Sequence, residues 1–123
     1  MDSAPRRSPD VTGLRDASAR EAASDLLRAL ASPTRIAIVL ALRDNAQCVH
    51  ELVGTLRISQ PLVSQHLRVL KDAGVVHGNR NGREIVYELV DEHLTRIVTD
   101  ALDHANETDD QAVDDRPSHP AAR

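Results

Sequence analysis

The chain has 123 residues, a formal net charge of −4, one cysteine and a single aromatic residue, Tyr87. This length suits one small domain, and a core with almost no aromatic volume must be built from Leu, Val, Ile and Ala. Such a core is thin, which favours a homodimer that shares it. The longest apolar run, residues 36–42, is far shorter than the roughly 20 residues that span a bilayer, so the sequence predicts no membrane-spanning segment. We therefore expect a cytoplasmic protein without a membrane partner.

Segments rich in Pro, Ser and charged residues lie at both ends of the chain. Residues 1–17 show no hydrophobic periodicity, and residues 107–123 are acidic and nearly free of large apolar side chains. We therefore expect a disordered N-terminal arm at 1–17, a folded domain at 18–106 and a flexible acidic tail at 107–123.

Two helices are predicted at the start of the domain. Ser18 and Glu21 form a capping-box pattern that begins a helix over residues 18–31. Ser32 and Pro33 then supply a cap and a first helical residue for a second helix, which ends near residue 43.

A pair of short helices follows in the middle of the chain. Apolar residues at helical spacing predict one helix before residues 57–59 and another that ends at Gly74, which together form a helix-turn-helix pattern. The dipeptide Asn81-Gly82 between two β-compatible segments predicts a hairpin. Asp91 then caps a last helix with apolar side chains at every third or fourth position. The expected fold class is mainly α with a small β-hairpin.

Positive charge is concentrated in the helix-turn-helix and the hairpin. Residues 57–83 carry five basic residues against one acidic residue, a local net charge of +4, so the rest of the chain sums to −8. Because phosphate neutralisation supplies most of the non-specific affinity for DNA, a basic surface on an acidic body is typical of a DNA-binding protein. On charge alone, a solvated charged face is an equally good interpretation.

The second helix of the pair favours DNA binding. Its outward side chains are short or amide groups that can donate and accept at base edges in the major groove, and arginine suits guanine or phosphate. The predicted DNA-contacting residues on this helix and on the hairpin are Gln60, Ser64, Gln65, Arg68, Arg80 and Arg83.

Four segments together resemble one known family. They are Leu30-Ala-Ser-Pro-Thr-Arg35, Val49-His-Glu-Leu-Val53, Gln60-Pro-Leu-Val-Ser-Gln-His-Leu-Arg-Val-Leu-Lys-Asp-Ala-Gly-Val-Val76 and Gly82-Arg-Glu-Ile-Val-Tyr87. On these residues the chain resembles the ArsR/SmtB family of winged-helix metalloregulatory repressors, over about residues 20 to 107. The resemblance implies a winged helix-turn-helix homodimer that binds double-stranded palindromic operator DNA and releases it when an inducer binds.

Candidate ligands for a metal inducer lie in the last helix: Asp91, His93, His104 and Glu107. His93 and His104 are 11 residues apart in the sequence. This spacing puts them on nearly the same helix face but about 16 Å apart along the axis, so one helix cannot bring both to one ion. If two last helices pair antiparallel about a two-fold axis, the first two ligands of one chain face the last two of the other, at two symmetric sites. Ordinary exposed polar residues are the alternative interpretation.

The donor set indicates the metal. Two imidazoles and two carboxylates suit tetrahedral Zn(II), and the Asp-x-His and His-x-x-Glu pattern resembles the last-helix zinc site of the SmtB-like branch of the family. His119 in the tail could extend the coordination, so Ni(II) or Co(II) is an alternative inducer. The sequence therefore predicts a zinc-responsive repressor, with a nickel or cobalt sensor as the alternative.

Cys48 and His50 form a possible secondary metal site. They occupy the place of the Cys-x-Cys motif in arsenic-, cadmium- and lead-sensing members of the family that the chain resembles, with His50 replacing the second cysteine. A soft-metal site needs more thiolates than this chain contains, which favours a small buried residue at Cys48. A metal-independent regulator that responds to oxidation of Cys48 is an alternative, and so is a dimeric module that binds protein.

Catalytic patterns are missing from the sequence. We find no nucleophile with a neighbouring base, no glycine-rich phosphate loop and no metal site with an evident open position. The sequence therefore predicts that the chain is not an enzyme.

Overall fold

The computed structural model describes residues 16–115, and side chains are described for residues 16–107. The predicted arm up to residue 15, the last part of the predicted tail and His119 lie outside the described residues. The described residues form five helices and one three-stranded antiparallel sheet. The elements are α1 (Ala17–Leu30), α2 (Pro33–Asp44), β1 (Gln47–Cys48), α3 (Val49–Leu56), α4 (Gln60–Asp72), β2 (Val76–Asn81), β3 (Glu84–Leu89) and α5 (Glu92–Asp115).

Local sequence signals begin the first two helices. At the start of α2, Ser32 Oγ accepts a hydrogen bond from the Arg35 N–H at 3.2 Å, and Pro33 is the first helical residue, as predicted. The predicted N-cap of α1 is wrong by two residues, because the cap is Asp16 and not Ser18. The Asp16 carboxylate accepts a backbone N–H bond of the first turn at 3.1 Å, and its negative charge suits the positive end of the helix dipole.

Gly74 ends α4, as the sequence predicts. The Gly74 N–H donates to the Lys71 carbonyl at 3.0 Å, and the Val75 N–H donates to the Leu70 carbonyl at 2.8 Å. These two bonds form a Schellman motif, which requires a left-handed residue after the helix. Gly74 has φ +79°, a conformation that glycine adopts without steric cost.

The predicted hairpin is present, but its turn lies one residue later than expected. Asn81 pairs with Glu84 at the end of the β2–β3 ladder, which leaves Gly82 and Arg83 as the two turn residues. Gly82 has φ +69°, whereas Asn81 keeps a negative φ. A glycine at the first central position is typical of a type II′ turn, not the type I′ turn that Asn-Gly predicts.

Strand β1 was not predicted from the sequence. Gln47 pairs with Tyr87 and Cys48 pairs with Val86, so β1 adds an edge strand next to β3 and the sheet order is β1-β3-β2. A two-residue strand has no periodicity of its own, and it forms here because β3 offers a free edge much later in the chain.

Aliphatic side chains fill the core, as the composition predicts. Helix α2 lies at its centre and packs against α3, α4, α5 and β3. No polar or charged side chain in residues 16–107 is buried. The largest fully buried side chains are Ile38, Leu52, Leu67, Leu70, Val39, Val63, Val75 and Val76.

Helix α5 continues beyond residue 106, where the sequence predicts that the folded domain ends. It reaches Asp115, and no glycine or proline interrupts residues 107–115. None of the helices within residues 16–115 combines the length and the apolar character that crossing a membrane requires.

Candidate nucleic-acid interface and metal-ligand residues

Helices α3 and α4 form the helix-turn-helix. Arg57 ends α3 in the left-handed conformation (φ 60°), and its N–H donates to the Val53 carbonyl at 2.8 Å. The chain then turns over three residues, and Ser59 caps α4 through a 3.4 Å hydrogen bond from the Leu62 N–H. The tight turn and the cap determine where the first turn of α4 begins.

The polar face of α4 points away from the core. Gln60, Ser64, Gln65 and Arg68 are all exposed, while the opposite face, formed by Val63, Leu67 and Leu70, is buried. A helix anchored on one side in this way presents its other side to solvent. These four exposed positions are the α4 residues predicted to contact DNA, and that contact itself remains a prediction.

The hairpin adds two exposed arginines, Arg80 on β2 and Arg83 in the turn. Between α4 and the hairpin lies a groove of about 510 Å³. The lining residues of this groove are Ser64, Leu67, Arg68, Lys71, Asp72 and Tyr87. Lys71 and Tyr87 were not predicted as site residues. The helical spacing of Lys71, three residues after Arg68, could have identified the lysine, whereas the position of Tyr87 depends on strand pairing.

His66 connects α4 to α2 and is not part of the exposed polar face. The Arg35 guanidinium donates to His66 Nδ1 at 3.2 Å and to the Ala29 carbonyl at 2.6 Å. Burial lowers the pKa of His66, and the nearby Arg35 charge lowers it further. The imidazole therefore favours its neutral form, which can accept the arginine hydrogen bond.

Asp91 and His93 lie together at the start of α5. Asp91 Oδ1 accepts a hydrogen bond from the His93 backbone N–H at 2.9 Å and lies 3.4 Å from His93 Nδ1. Both side chains are largely exposed, at 50% and 76% respectively. Two ligands that bind one tetrahedral ion at about 2.0 Å lie about 3.3 Å apart, so this pair fits a shared metal ion.

His104 and Glu107 are exposed farther along α5. Glu107 is three positions after His104, so the two side chains lie on adjacent helical turns, where they can bind one ion together. One chain does not bring them to Asp91 and His93, and residues 16–107 contain no cluster of three or more His, Cys, Asp or Glu side chains that could hold a metal. Completion of the site by a second chain remains a prediction.

Cys48 and His50 differ in their exposure. Cys48 is a buried free cysteine, whereas His50 is exposed. The Cys48 N–H donates to a Glu51 carboxylate oxygen at 2.9 Å at the start of α3. Burial raises the pKa of the Cys48 thiol, and the Glu84 carboxylate adds to this rise. The protonated thiol is a poor metal ligand and a poor nucleophile.

Comparisons with known proteins match this arrangement. Residues 32–77 match the family described as "Bacterial regulatory protein, arsR family". The chain is 63% identical over 87 residues to the HTH-type transcriptional repressor SmtB of Mycobacterium tuberculosis, with 71% of this chain and 64% of that relative covered. It is 38% identical over 90 residues to the HTH-type transcriptional regulator NmtR of the same species, with 73% and 75% covered.

A solved structure shows the same fold. A homodimeric winged helix-turn-helix DNA-binding domain from Mycobacterium bovis superposes with a TM-score of 0.70 at 22% identity, covering 87% of this chain and 92% of that one. The two relatives from Mycobacterium tuberculosis are named as transcriptional regulators, which agrees with the expectation that the chain is not an enzyme. The sequence identities, the matched residues and the winged helix-turn-helix together show that the chain belongs to the ArsR/SmtB family.

Proposed function

We propose that this chain is a metal-responsive transcriptional repressor. A homodimer binds a palindromic operator and is released when zinc binds at sites shared by the two α5 helices. The observation that supports this function best is the exposed polar face of α4, formed by Gln60, Ser64, Gln65 and Arg68, beside the arginines of the hairpin. The similar SmtB protein is named a transcriptional repressor.

The polar side chains of α4 carry the chemistry that base edges recognise. The Gln65 amide can donate and accept at the major-groove edge of adenine, and the Arg68 guanidinium can donate two hydrogen bonds to guanine. Arg80 and Arg83, which lie on the hairpin, suit phosphates. Phosphate contacts place the protein on DNA without reading its sequence.

A second copy of the chain supplies the symmetry that a palindrome requires. The recognition helices of a dimer read half-sites about 34 Å apart. Helices α1 and α5 each leave a large apolar side chain in solvent, Leu27 at 56% exposure and Leu102 at 38%. Burial of such side chains between two chains stabilises a dimer by about 25 cal/mol per Å². The homodimeric state of the similar Mycobacterium bovis domain also supports this assembly.

The α5 donor set supports zinc as the inducer. Asp91 and His93 of one chain would bind the ion with His104 and Glu107 of the other, a mixed nitrogen and oxygen set that tetrahedral Zn(II) accepts. Nickel or cobalt is the alternative inducer, because both prefer more ligands and His119 could add one. A redox response through Cys48 is less favoured, since its buried thiol has a raised pKa.

A contact path within the chain connects the ligand residues to the DNA-facing helix. Asp91 and His93 of one chain and His104 and Glu107 of the other would hold a zinc ion, which would link the two chains and restrict their relative orientation. Helix α5 packs against α2, and Arg35 of α2 donates to His66 of α4. In this proposal, these contacts carry the restriction of α5 to α4. Because the coupling is reciprocal, operator DNA must weaken zinc binding by the same factor by which zinc weakens DNA binding.

The test begins with the metal-free full chain and a pool of random-sequence duplexes. We expect selection of a palindromic duplex whose affinity falls steeply with salt, because phosphate contacts release counterions. Addition of buffered free zinc should release this duplex from the protein, as followed by fluorescence anisotropy. The variant His104→Ala should bind the duplex but resist zinc, while the control His77→Ala, an exposed histidine on β2 outside the candidate metal ligands, should release the duplex at wild-type zinc concentrations. Failure to select any duplex would contradict DNA binding, and release of His104→Ala at wild-type zinc concentrations would contradict the metal site.

A further inference from the structure

One large apolar side chain stands on the otherwise polar outer face of α4. Leu62 is 43% exposed, and it is the only exposed large hydrophobic residue of α4. Its backbone N–H donates to the Ser59 cap, which places Leu62 in the first turn of the helix. Single exposed leucines are ordinary on protein surfaces, so its position on this helix is the informative feature.

Leu62 lies beside predicted base-reading residues. Gln65 follows three residues later, and residues at this spacing share a helix face. The first turn of a recognition helix is the part that reaches base edges in the major groove. Leu62 offers no hydrogen bond, and the one apolar group that base pairs present in this groove is the 5-methyl group of thymine.

We propose that Leu62 contacts a thymine methyl group in each half-site of the operator and thereby determines specificity at that position. This inference rests on the proposed function. Removing one buried methyl group costs about a fourfold loss of affinity. Because the two half-sites are well separated, removing the methyl group from both should cost about fifteenfold.

The experiment compares thymine with uracil, which pairs identically but lacks the methyl group. In the duplex selected by the metal-free wild-type chain, each thymine is replaced symmetrically in both half-sites, and affinity is measured for every duplex. We expect one thymine position at which uracil weakens wild-type binding by about fifteenfold. In Leu62→Ala the same replacement should have little effect, while Leu62→Met, which keeps an apolar side chain of similar length, should retain discrimination. Val90→Ala, an exposed apolar position outside α4, is the matched control.

The possible outcomes distinguish a failure of the Leu62 contact from a failure of the proposed function. If no duplex is selected, the proposed function fails and this inference fails with it. If a duplex is selected and uracil is tolerated at every position, or weakens wild type and Leu62→Ala equally, the leucine contact is overturned while DNA binding stands. Circular dichroism of Leu62→Ala checks that the exposed substitution leaves the helices intact.

Discussion

A mixed dimer of two single-site variants gives the sharpest test of the shared zinc sites. One chain carries His93→Ala and the other carries His104→Ala. The two imidazoles are 11 residues apart, which is about 16 Å along α5, so neither chain alone can hold both at one ion. In the proposed arrangement, one of the two sites of the mixed dimer lacks both imidazoles, and the other is complete. We therefore expect two zinc ions per wild-type dimer, one per mixed dimer and none at comparable affinity in either variant homodimer.

The assay is a zinc titration of dimers purified with two different affinity tags, one on each chain, so that only mixed dimers are recovered. The intact site should bind with wild-type affinity, because all four of its ligands are present. A dimer tagged in the same way with His77→Ala in both chains controls for the loss of a histidine elsewhere, since His77 is exposed and lies on β2, outside the candidate metal ligands. A mixed dimer that binds no zinc at wild-type affinity would show that the ligands are not shared between chains in this way.

Three further predictions concern the DNA surface, pH and the hairpin. Gln65→Ala should weaken binding to the selected duplex by about 1 to 3 kcal/mol and leave binding to random DNA unaffected. Arg83→Ala should weaken binding to both DNAs, and the slope of log affinity against log salt concentration, measured by anisotropy, should fall by about 1. Because burial and a neighbouring arginine lower the pKa of His66, the folded chain binds fewer protons there than the unfolded chain. The contribution of His66 to the free energy of unfolding should therefore be at its full value above about pH 6.5 and decline below it. Urea unfolding at several pH values should show a smaller decline in His66→Asn than in the wild type. Gly78→Ala would place a Cβ 2.6 Å from the Cγ2 methyl carbon of Ile85 on β3 and should lower the free energy of unfolding by about 1 to 3 kcal/mol. Gly54→Ala, whose Cβ would have no atom within 4 Å, should not lower it. Equal effects of the two variants in urea unfolding would refute this packing argument.

The sequence by itself determined the features that depend on near neighbours. Ser32 and Pro33 start α2, and Gly74 ends α4, because caps and left-handed residues act within one helical turn. The outward positions of α4 also followed from sequence, since a 3.6-residue period and three buried apolar side chains leave only one face for Gln65 and Arg68. The two halves of the candidate metal site, Asp91 with His93 and His104 with Glu107, could also be predicted, because the two residues of each half are only two or three positions apart in the sequence.

Only the tertiary structure decided the features that depend on residues far apart in the chain. Strand β1 exists because β3 offers an edge, and the β2–β3 ladder moves the turn from Asn81-Gly82 to Gly82 and Arg83. The same is true of side-chain environments. His66 lies in the basic segment of the sequence, yet its ring accepts a hydrogen bond from an arginine of α2, 31 residues earlier. Local patterns carry no information about such a partner, because the contact forms only when the helices pack together.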